Sequence, residues 1–406
     1  MKYLFVHQNF PGQYLHIVRH LQADRNNDVV FITEPNNNLI NGVRRVVYET
    51  GRKVRTDIHP DARDHELAAH RAAKVADAAR QLKSLGYVPD VIVGHHGWGE
   101  MLNLVDVWPG VPMLGYFEFY YHTVGYDVDF DPEFPMAANF QPGVRALNTL
   151  NLLALALEQH GQSPTLFQLH AYPDWAQRQI KLLPEGVRLD LCKPDPKSGD
   201  KRLSVGDFHI EPSDKLITFV SRNLEPYRGF HTLMRALPKI MRERADVKVV
   251  MLGGDDVSYG ARLANNTWKK FFTDQLRGQY DESRVLMPGQ VDYDLYLKLL
   301  QRSNAHVYLT YPFVASWSLR EALACGCPVI GGDVEPVAEF ITEGKNGLLT
   351  PVLDPARLAE RVLDLLEHPR LSAKIRKGAR RYAEEHLSME NYLSAFDARI
   401  AEITGL

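Results

Sequence analysis

Cysteine is scarce in this chain, with three residues in 406, at Cys192, Cys325 and Cys327. An odd number without zinc-ligand spacing argues against both a disulfide framework and a structural zinc site. Cys325 and Cys327 are too close in sequence to staple a loop comfortably, so the three read as buried thiols in a reducing compartment. Long apolar runs are also missing. The nearest approach, Leu147–Leu157, is interrupted by Asn148 and Asn151 and falls short of the roughly 20 residues that span a bilayer. Membrane contact is therefore expected to be peripheral at most. Met1–Val6 leads straight into a strand-like segment, with no charged n-region, apolar h-region or cleavage site. The expected location is the cytoplasm, at most peripheral to the inner face of a membrane. Neither sign of charge dominates: 47 basic and 50 acidic side chains leave a net charge of -3, and no long basic run is present to neutralise a nucleic-acid backbone. No Gly-x-Gly-x-x-Gly opens either half of the chain, which makes a hydride-transferring dinucleotide enzyme the least favoured reading.

What is present is a βα rhythm. Short apolar runs alternate with helical patterns almost from end to end, the mark of parallel sheets covered by helices. In the first half the strand candidates are Tyr3–Val6, Val29–Thr33, Val91–Val93, Pro112–Phe117 and Leu166–Leu169, with helices over Gln13–Leu21 and the Ala-rich Glu66–Leu85. In the second half they are Leu216–Val220, Val247–Leu252, Val285–Met287, His306–Leu309, Val329–Ile330 and Leu348–Thr350. Helices there fit Phe230–Arg242, Tyr293–Gln301, Ser318–Cys325 and Pro355–Leu366. The length suits two domains. The polar, Pro- and Gly-containing stretch 193–214 reads as the linker between a domain over 1–192 and one over 215–387, with a separate amphipathic helix over 388–406. Two doubly wound domains that face one another would share a cleft at the carboxyl ends of their strands.

Several loops at those ends carry chemistry. In Ser221–Gly229, SRNLEPYRG, Arg222 and Arg228 fall between a strand and a helix start, an arrangement suited to a diphosphate, although solvated loop arginines fit equally. Ser318 and Glu321 fit a capping box, which competes with a ligand role for Glu321. Gly12 opens the first helix as a lone glycine, a weak phosphate signal. The loop GHHGWGE contributes His95, His96, Trp98 and Glu100, and YFEFYY contributes Glu118, Tyr120 and Tyr121. These side chains suit hydroxyl binding and sugar stacking, but loop hydrogen bonding and core packing explain them too.

Taken in order, Ser221-Arg222-Asn223-Leu224, Arg228-Gly229, Leu252-Gly253-Gly254, Glu321 with ALACGCPV, Glu339 and Asn346-Gly347-Leu348-Leu349 resemble the group 1, family 4 glycosyltransferases of the GT-B fold, two Rossmann-like domains about a central cleft. The match covers nearly all of 215–385 and is looser in the first half. There Pro11-Gly12, His95 after the PDVI strand, and Pro184-Glu185-Gly186-Val187 resemble family features. The resemblance implies retaining, metal-independent transfer from a nucleotide sugar to an acceptor glycan, lipid, small molecule or protein, with no cofactor. It implies catalytic roles for His95, Arg222 and Arg228, and donor contacts by Gly12, Arg222, Arg228, Gly253, Phe313, Ser316, Ser318, Leu319 and Glu321. Their position in the loops of the first half, and not the resemblance, assigns Trp98, Glu118, Tyr120 and Tyr121 to the acceptor. The chain departs from the family at Phe313, which stands where the family has its first Glu, and at Arg228, which stands where Lys is usual. The Asp-x-Asp pattern in Asp127–Asp131, DVDFD, falls in the acceptor half, away from any expected metal loop. Two other readings remain: a nucleotide-sugar epimerase on the same fold, and a non-catalytic nucleotide-sugar-binding subunit, which Phe313 favours.

Overall fold

The computed structural model describes residues 1–50, 55 and 57–405. It separates into two units, one of Met1–Asp129, Phe134–Glu185 and Glu390–Leu406, the other of Phe130–Glu133 and Gly186–Met389; Leu406 itself lies outside the described residues. The first unit holds a seven-stranded sheet of β1 (Lys2–Val6), β2 (Asp28–Thr33), β3 (Arg44–Val47), β4 (Val91–Gly94), β5 (Met113–Tyr116), β6 (His160–Ser163) and β7 (Ile180–Leu182). Its order is β3-β2-β1-β4-β5-β6-β7, and every neighbouring pair is parallel. The order reverses beside β1, so the loops after β1 and β4 flank the switch point where such sheets bind ligands.

Why these residues fold this way is clearest at the helix Arg63–Ser84. Its buried positions are mostly Ala (Ala68, Ala72, Ala76, Ala79) with Val75 among them, a small-residue stripe at helical spacing. It packs in one cluster with Leu4, Val30 and Ile92 of the sheet. Close approach is enforced at Gly99, φ +83°, where a Cβ would come within 2.4 Å of the Ala68 Cβ.

The second unit holds a hairpin and a six-stranded sheet. The hairpin pairs β8 (Leu203–Val205) with β9 (Phe208–Ile210) antiparallel. The sheet comprises β10 (Lys215–Asn223), β11 (Val247–Gly254), β12 (Val285–Gly289), β13 (Ala305–Tyr308), β14 (Val329–Gly332) and β15 (Leu348–Thr350). Its order is β12-β11-β10-β13-β14-β15, again all parallel. Helix Trp317–Ala324 packs its Leu319, Ala322 and Leu323 into the same cluster as Leu216, Val250 and Val329. Cys192, Cys325 and Cys327 are free and buried.

Two expectations change, and three strands of the first sheet were not foreseen. Leu166–Leu169 is not a strand but the start of helix Leu166–Ala171, opened by Thr165, whose side chain accepts the Gln168 N–H at 3.1 Å; a short apolar run does not by itself separate helix from strand. The strand in that region is β6, the polar HGQS, and β3 and β7 join it as strands that apolar pattern alone did not reveal. The stretch 193–214 is not a bare linker. It carries the β8–β9 hairpin and lies within the second unit, whose first residue after the 130–133 excursion is Gly186. Among the described residues no helix is long and apolar enough to cross a membrane.

Candidate active site

In the first unit, β1 is followed directly by His7, a buried residue whose Nδ1 accepts the Asn9 N–H at 2.9 Å. Burial, with His95 nearby, pushes its imidazole down to about 4. Gly12 follows with φ +55°, and a Cβ there would lie 2.9 Å from His7 Nδ1. The loop therefore has no room for a larger residue.

β4 delivers the adjacent histidines to different tasks. His96 is buried against Phe117, ring centroids 4.0 Å apart, with Nε2 2.6 Å from Asn151 Oδ1. Burial pushes it down to about 3, so it is a neutral core histidine. His95 accepts the Gly97 N–H on Nδ1 at 3.1 Å, which leaves the proton of the neutral ring on Nε2. That nitrogen faces Glu118 Oε2 at 3.4 Å. Trp98 lies beside His95 at 5.7 Å, is 39% exposed, and has the Arg71 guanidinium over its ring at 6.0 Å. His95, Trp98, Glu118, Tyr121, Arg71 and Asp64 line a cavity of about 180 Å³. Tyr120 does not line it; its ring packs on His122 and Tyr172, each at 5.6 Å.

Glu100, the last residue of GHHGWGE, is fully buried. The Tyr48 hydroxyl donates to its Oε1 and the Gln8 N–H to its Oε2 at 3.1 Å. It thereby pins the loop after β1. Burial, opposed by the Tyr48 bond, Arg71 and the Gln8 N–H, raises its carboxyl to about 7.

In the second unit, Arg222 sits at the carboxyl end of β10, exposed and without an ion pair among the described residues. Gly253, at the end of β11, is crowded by Leu224, which would stand 2.9 Å from any Cβ added there. Arg228 is buried. Its Nη1 donates to Thr310 Oγ1 at 2.9 Å and to the Val314 carbonyl at 3.0 Å, and its guanidinium lies 4.8 Å from the Tyr259 ring centroid. Arg228 thus braces the loop after β13. Phe313 in that loop is 4% exposed, packed on Tyr227 at 5.6 Å and on Tyr259 at 5.2 Å.

The expected capping box is absent. Ser316, not Ser318, is the N-cap of helix Trp317–Ala324, with no side-chain cap bond, and its hydroxyl pairs with that of Ser318 at 2.7 Å. Leu319 is wholly buried. Counted from the cap at Ser316, Glu321 is the fifth helical residue, two beyond the position that reaches back to a cap, and its oxygens accept the hydroxyls of Tyr293 at 2.7 Å and Tyr296 at 2.6 Å. Burial pushes its carboxyl up despite those two bonds.

Sequence reasoning missed Glu225, which is buried and accepts the N–H groups of Ser258, Tyr259 and Gly260 at 3.0, 3.4 and 3.0 Å. It ties the loop after β10 to the loop after β11, and no local pattern announces a partner so far along the chain. It missed Arg71 and the two tyrosines on Glu321 for the same reason. Among the described residues no group of three or more His, Cys, Asp or Glu side chains is placed to hold a metal ion.

Comparison with known proteins places this geometry in a family. Residues 25–192 match the family described as glycosyl transferase family 4 group, and residues 206–382 match glycosyl transferases group 1. Spore coat protein SA of Bacillus subtilis is 28% identical over 198 residues, 45% of this chain and 48% of that protein. A phosphatidyl-myo-inositol mannosyltransferase of Mycobacterium leprae is 30% identical over 191 residues, 46% of this chain and 44% of that protein. The chain spans about half the length of the curated relatives it matches. Among solved structures, sucrose-phosphate synthase from Thermosynechococcus elongatus superposes with a TM-score of 0.73 at 16% identity, covering 100% of this chain and 99% of that one. HepE of Anabaena, in complex with UDP and glucose, superposes with a TM-score of 0.69 at 17% identity, covering 99% of both chains. The fold is GT-B, and with its two parallel sheets and both family matches the chain belongs to the group 1, family 4 glycosyltransferases.

Proposed function

We propose that the protein is a retaining glycosyltransferase that moves a hexosyl or deoxyhexosyl group from a nucleoside diphosphate sugar to an acceptor hydroxyl. In this reading it needs no metal ion or cofactor and works in the cytoplasm on a bacterial glycan, glycolipid or glycoconjugate. The observation that supports it most is the carboxyl edge of the second sheet. Arg222 stands there exposed, with no ion pair among the described residues, at the end of the strand whose following loop leads to the N-terminus of helix Phe230–Glu243, a pairing of guanidinium and helix dipole suited to a diphosphate. Glu321, already accepting two hydroxyls, is a carboxylate suited to exchange them for the vicinal hydroxyls of a ribose.

Catalysis then rests on charge. As the bond from the anomeric carbon to the diphosphate breaks, negative charge grows on the leaving oxygen, and fixed positive groups lower the barrier. The acceptor oxygen bonds to the anomeric carbon, and its proton passes to the departing phosphate. In the first unit, the exposed ring of Trp98 offers a stacking face for a sugar, Glu118 accepts a hydroxyl hydrogen, and His95 orients the reacting group. A uridine nucleotide is the first donor to try, since HepE was solved with UDP and with UDP-glucose. A thermal-shift panel of nucleotide diphosphates and their sugars tests binding, because a ligand selective for the folded state raises apparent stability. No stabilisation by any member would sink the proposal. His95→Ala should lower nucleotide release from the sugar donor by about a hundredfold or more with donor affinity unchanged, and an unchanged rate would remove His95 from the mechanism.

A further inference from the structure

Four residues, Phe130–Glu133, belong to the second unit although the chain on either side of them belongs to the first. They contain the end of DVDFD, the motif that neither a metal nor the proposed transfer accounts for. Asp131 is 4% exposed. Its Oδ2 accepts the Tyr311 hydroxyl at 2.6 Å and lies 3.2 Å from Nε2 of the buried His231, and its Oδ1 accepts the Glu133 N–H at 2.9 Å. Glu133 takes Arg235 in a two-bond fork, both at 2.6 Å, and the Phe130 ring packs on Tyr311 at 5.1 Å. Burial opposes ionisation of Asp131, but the bonds from His231, Tyr311 and the Glu133 N–H prevail and hold its carboxyl below the ordinary carboxylate range.

The partners matter more than the pairing. Thr310–Ser316 has no helix or strand, and its shape is set by a few anchors. Arg228 holds Thr310 and Val314, the Tyr227 carbonyl accepts the Tyr311 N–H at 3.0 Å, and the Tyr308 hydroxyl accepts the Ser316 N–H at 2.7 Å. Asp131 supplies the anchor for the Tyr311 side chain. Apolar packing would cover the same space with less desolvation than a buried carboxylate, whereas a charge-assisted hydrogen bond fixes one orientation of the phenol.

We infer that Asp131 is a positioning residue of the proposed donor site: through Tyr311 it sets the Thr310–Ser316 loop that carries Phe313 and leads to the helix of Glu321. This rests on the donor-site reading above, and the test separates the two.

Tyr311→Phe removes one hydroxyl and keeps the ring, Asp131→Asn removes the charge, and both are measured with the double variant. Hydrogen exchange of the ligand-free proteins is followed over 310–318 and over β10 and β11, and UDP affinity is measured by calorimetry. Losing a hydrogen bond to a charged group should speed exchange in the loop on the order of ten- to a hundredfold, leave β10 and β11 unchanged, and weaken UDP binding. The double variant should be no worse than the worse single. Restored loop protection in Asp131→Glu would support a carboxylate-specific anchor. Unchanged loop exchange, or equal acceleration throughout the second unit, would overturn the proposal. If loop exchange responds as expected but the wild-type protein binds no nucleotide, the anchor stands and the donor-site role is overturned.

Discussion

Replacing Glu100 by Gln should remove a pH dependence of stability from the first unit. The wild-type carboxyl is buried and raised from 4.5 to about 7. Between those values the folded protein holds a proton that the unfolded chain has released. Stability therefore falls as pH rises across the window and levels off above about pH 7. The difference between 4.5 and about 7 corresponds to about 3 kcal/mol. Gln resembles the protonated acid, with one accepting and one donating end. It keeps an acceptor for Tyr48 and sets its amide against the Gln8 N–H, at a cost of about 1 kcal/mol at every pH.

Buried imidazoles pull the other way. His7 is lowered to about 4, His96 to about 3 and His306 to about 4. Each binds a proton on unfolding, so their contribution is present above about 6.5 and is lost as pH falls towards those values. His7 and His96 affect the same unit as Glu100, and the wild-type profile alone hides the carboxylate. Both proteins share the imidazoles, so the difference between them isolates Glu100. Urea titrations that follow the first unit should show Gln about as stable as wild type near pH 5 and more stable by about 2 kcal/mol near pH 8. A difference that does not change with pH would refute the burial argument.

Two further substitutions test packing near the proposed donor site. Gly229→Ala puts a side chain at φ +72° and its Cβ 2.2 Å from that of Leu309; we expect a loss of about 3 kcal/mol or more from strain and overlap together, and an unchanged melting temperature would contradict the placement of that helix start. Phe313→Ala should cost about 3–5 kcal/mol and Phe313→Leu clearly less, because the ring is 4% exposed between Tyr227 and Tyr259; equal stability of Ala and wild type in thermal unfolding would mean that the ring is not packed as described.

The second sheet was legible because its strands include near-continuous apolar runs at βα spacing, such as Leu216–Val220, interrupted by Thr218, and Val247–Leu252, interrupted by Lys248. β6 was not, because HGQS buries Gln162 and Ser163 and owes its place to pairing with β5 and β7. The site divides in the same way. Arg222, Glu321 and His95 stand in short motifs that one chain can display. Asp131 meets Tyr311 across 180 residues, Tyr48 meets Glu100 across 52, and Glu225 meets Ser258 across 33. No local pattern encodes such pairs, and the topology alone brings them together. The capping box failed for a smaller reason: the N-cap is Ser316, two residues before the Ser318 that the box requires, and that shift frees the Glu321 carboxylate for tyrosines of the preceding helix, Tyr293–Arg302.

Phe313 has an electrostatic consequence that follows from Arg228. A Glu at this position would bring a negative charge to the loop that Arg228 braces. With Phe there, the described partners of Arg228 are a hydroxyl, a carbonyl and aromatic faces, none of which carries a charge. Its guanidinium therefore remains a nearly unopposed positive charge in a buried setting, where charge is screened least. On the donor-site reading, the exchange of Glu for Phe gives up an acceptor for a sugar hydroxyl and strengthens the field acting on a diphosphate. Discrimination among sugars should then weaken, since an aromatic wall rejects a missing hydroxyl far less than a carboxylate does, while affinity for the bare diphosphate should hold. The position that most resembles a lost catalytic part is thus compatible with a site that favours the leaving group over the sugar.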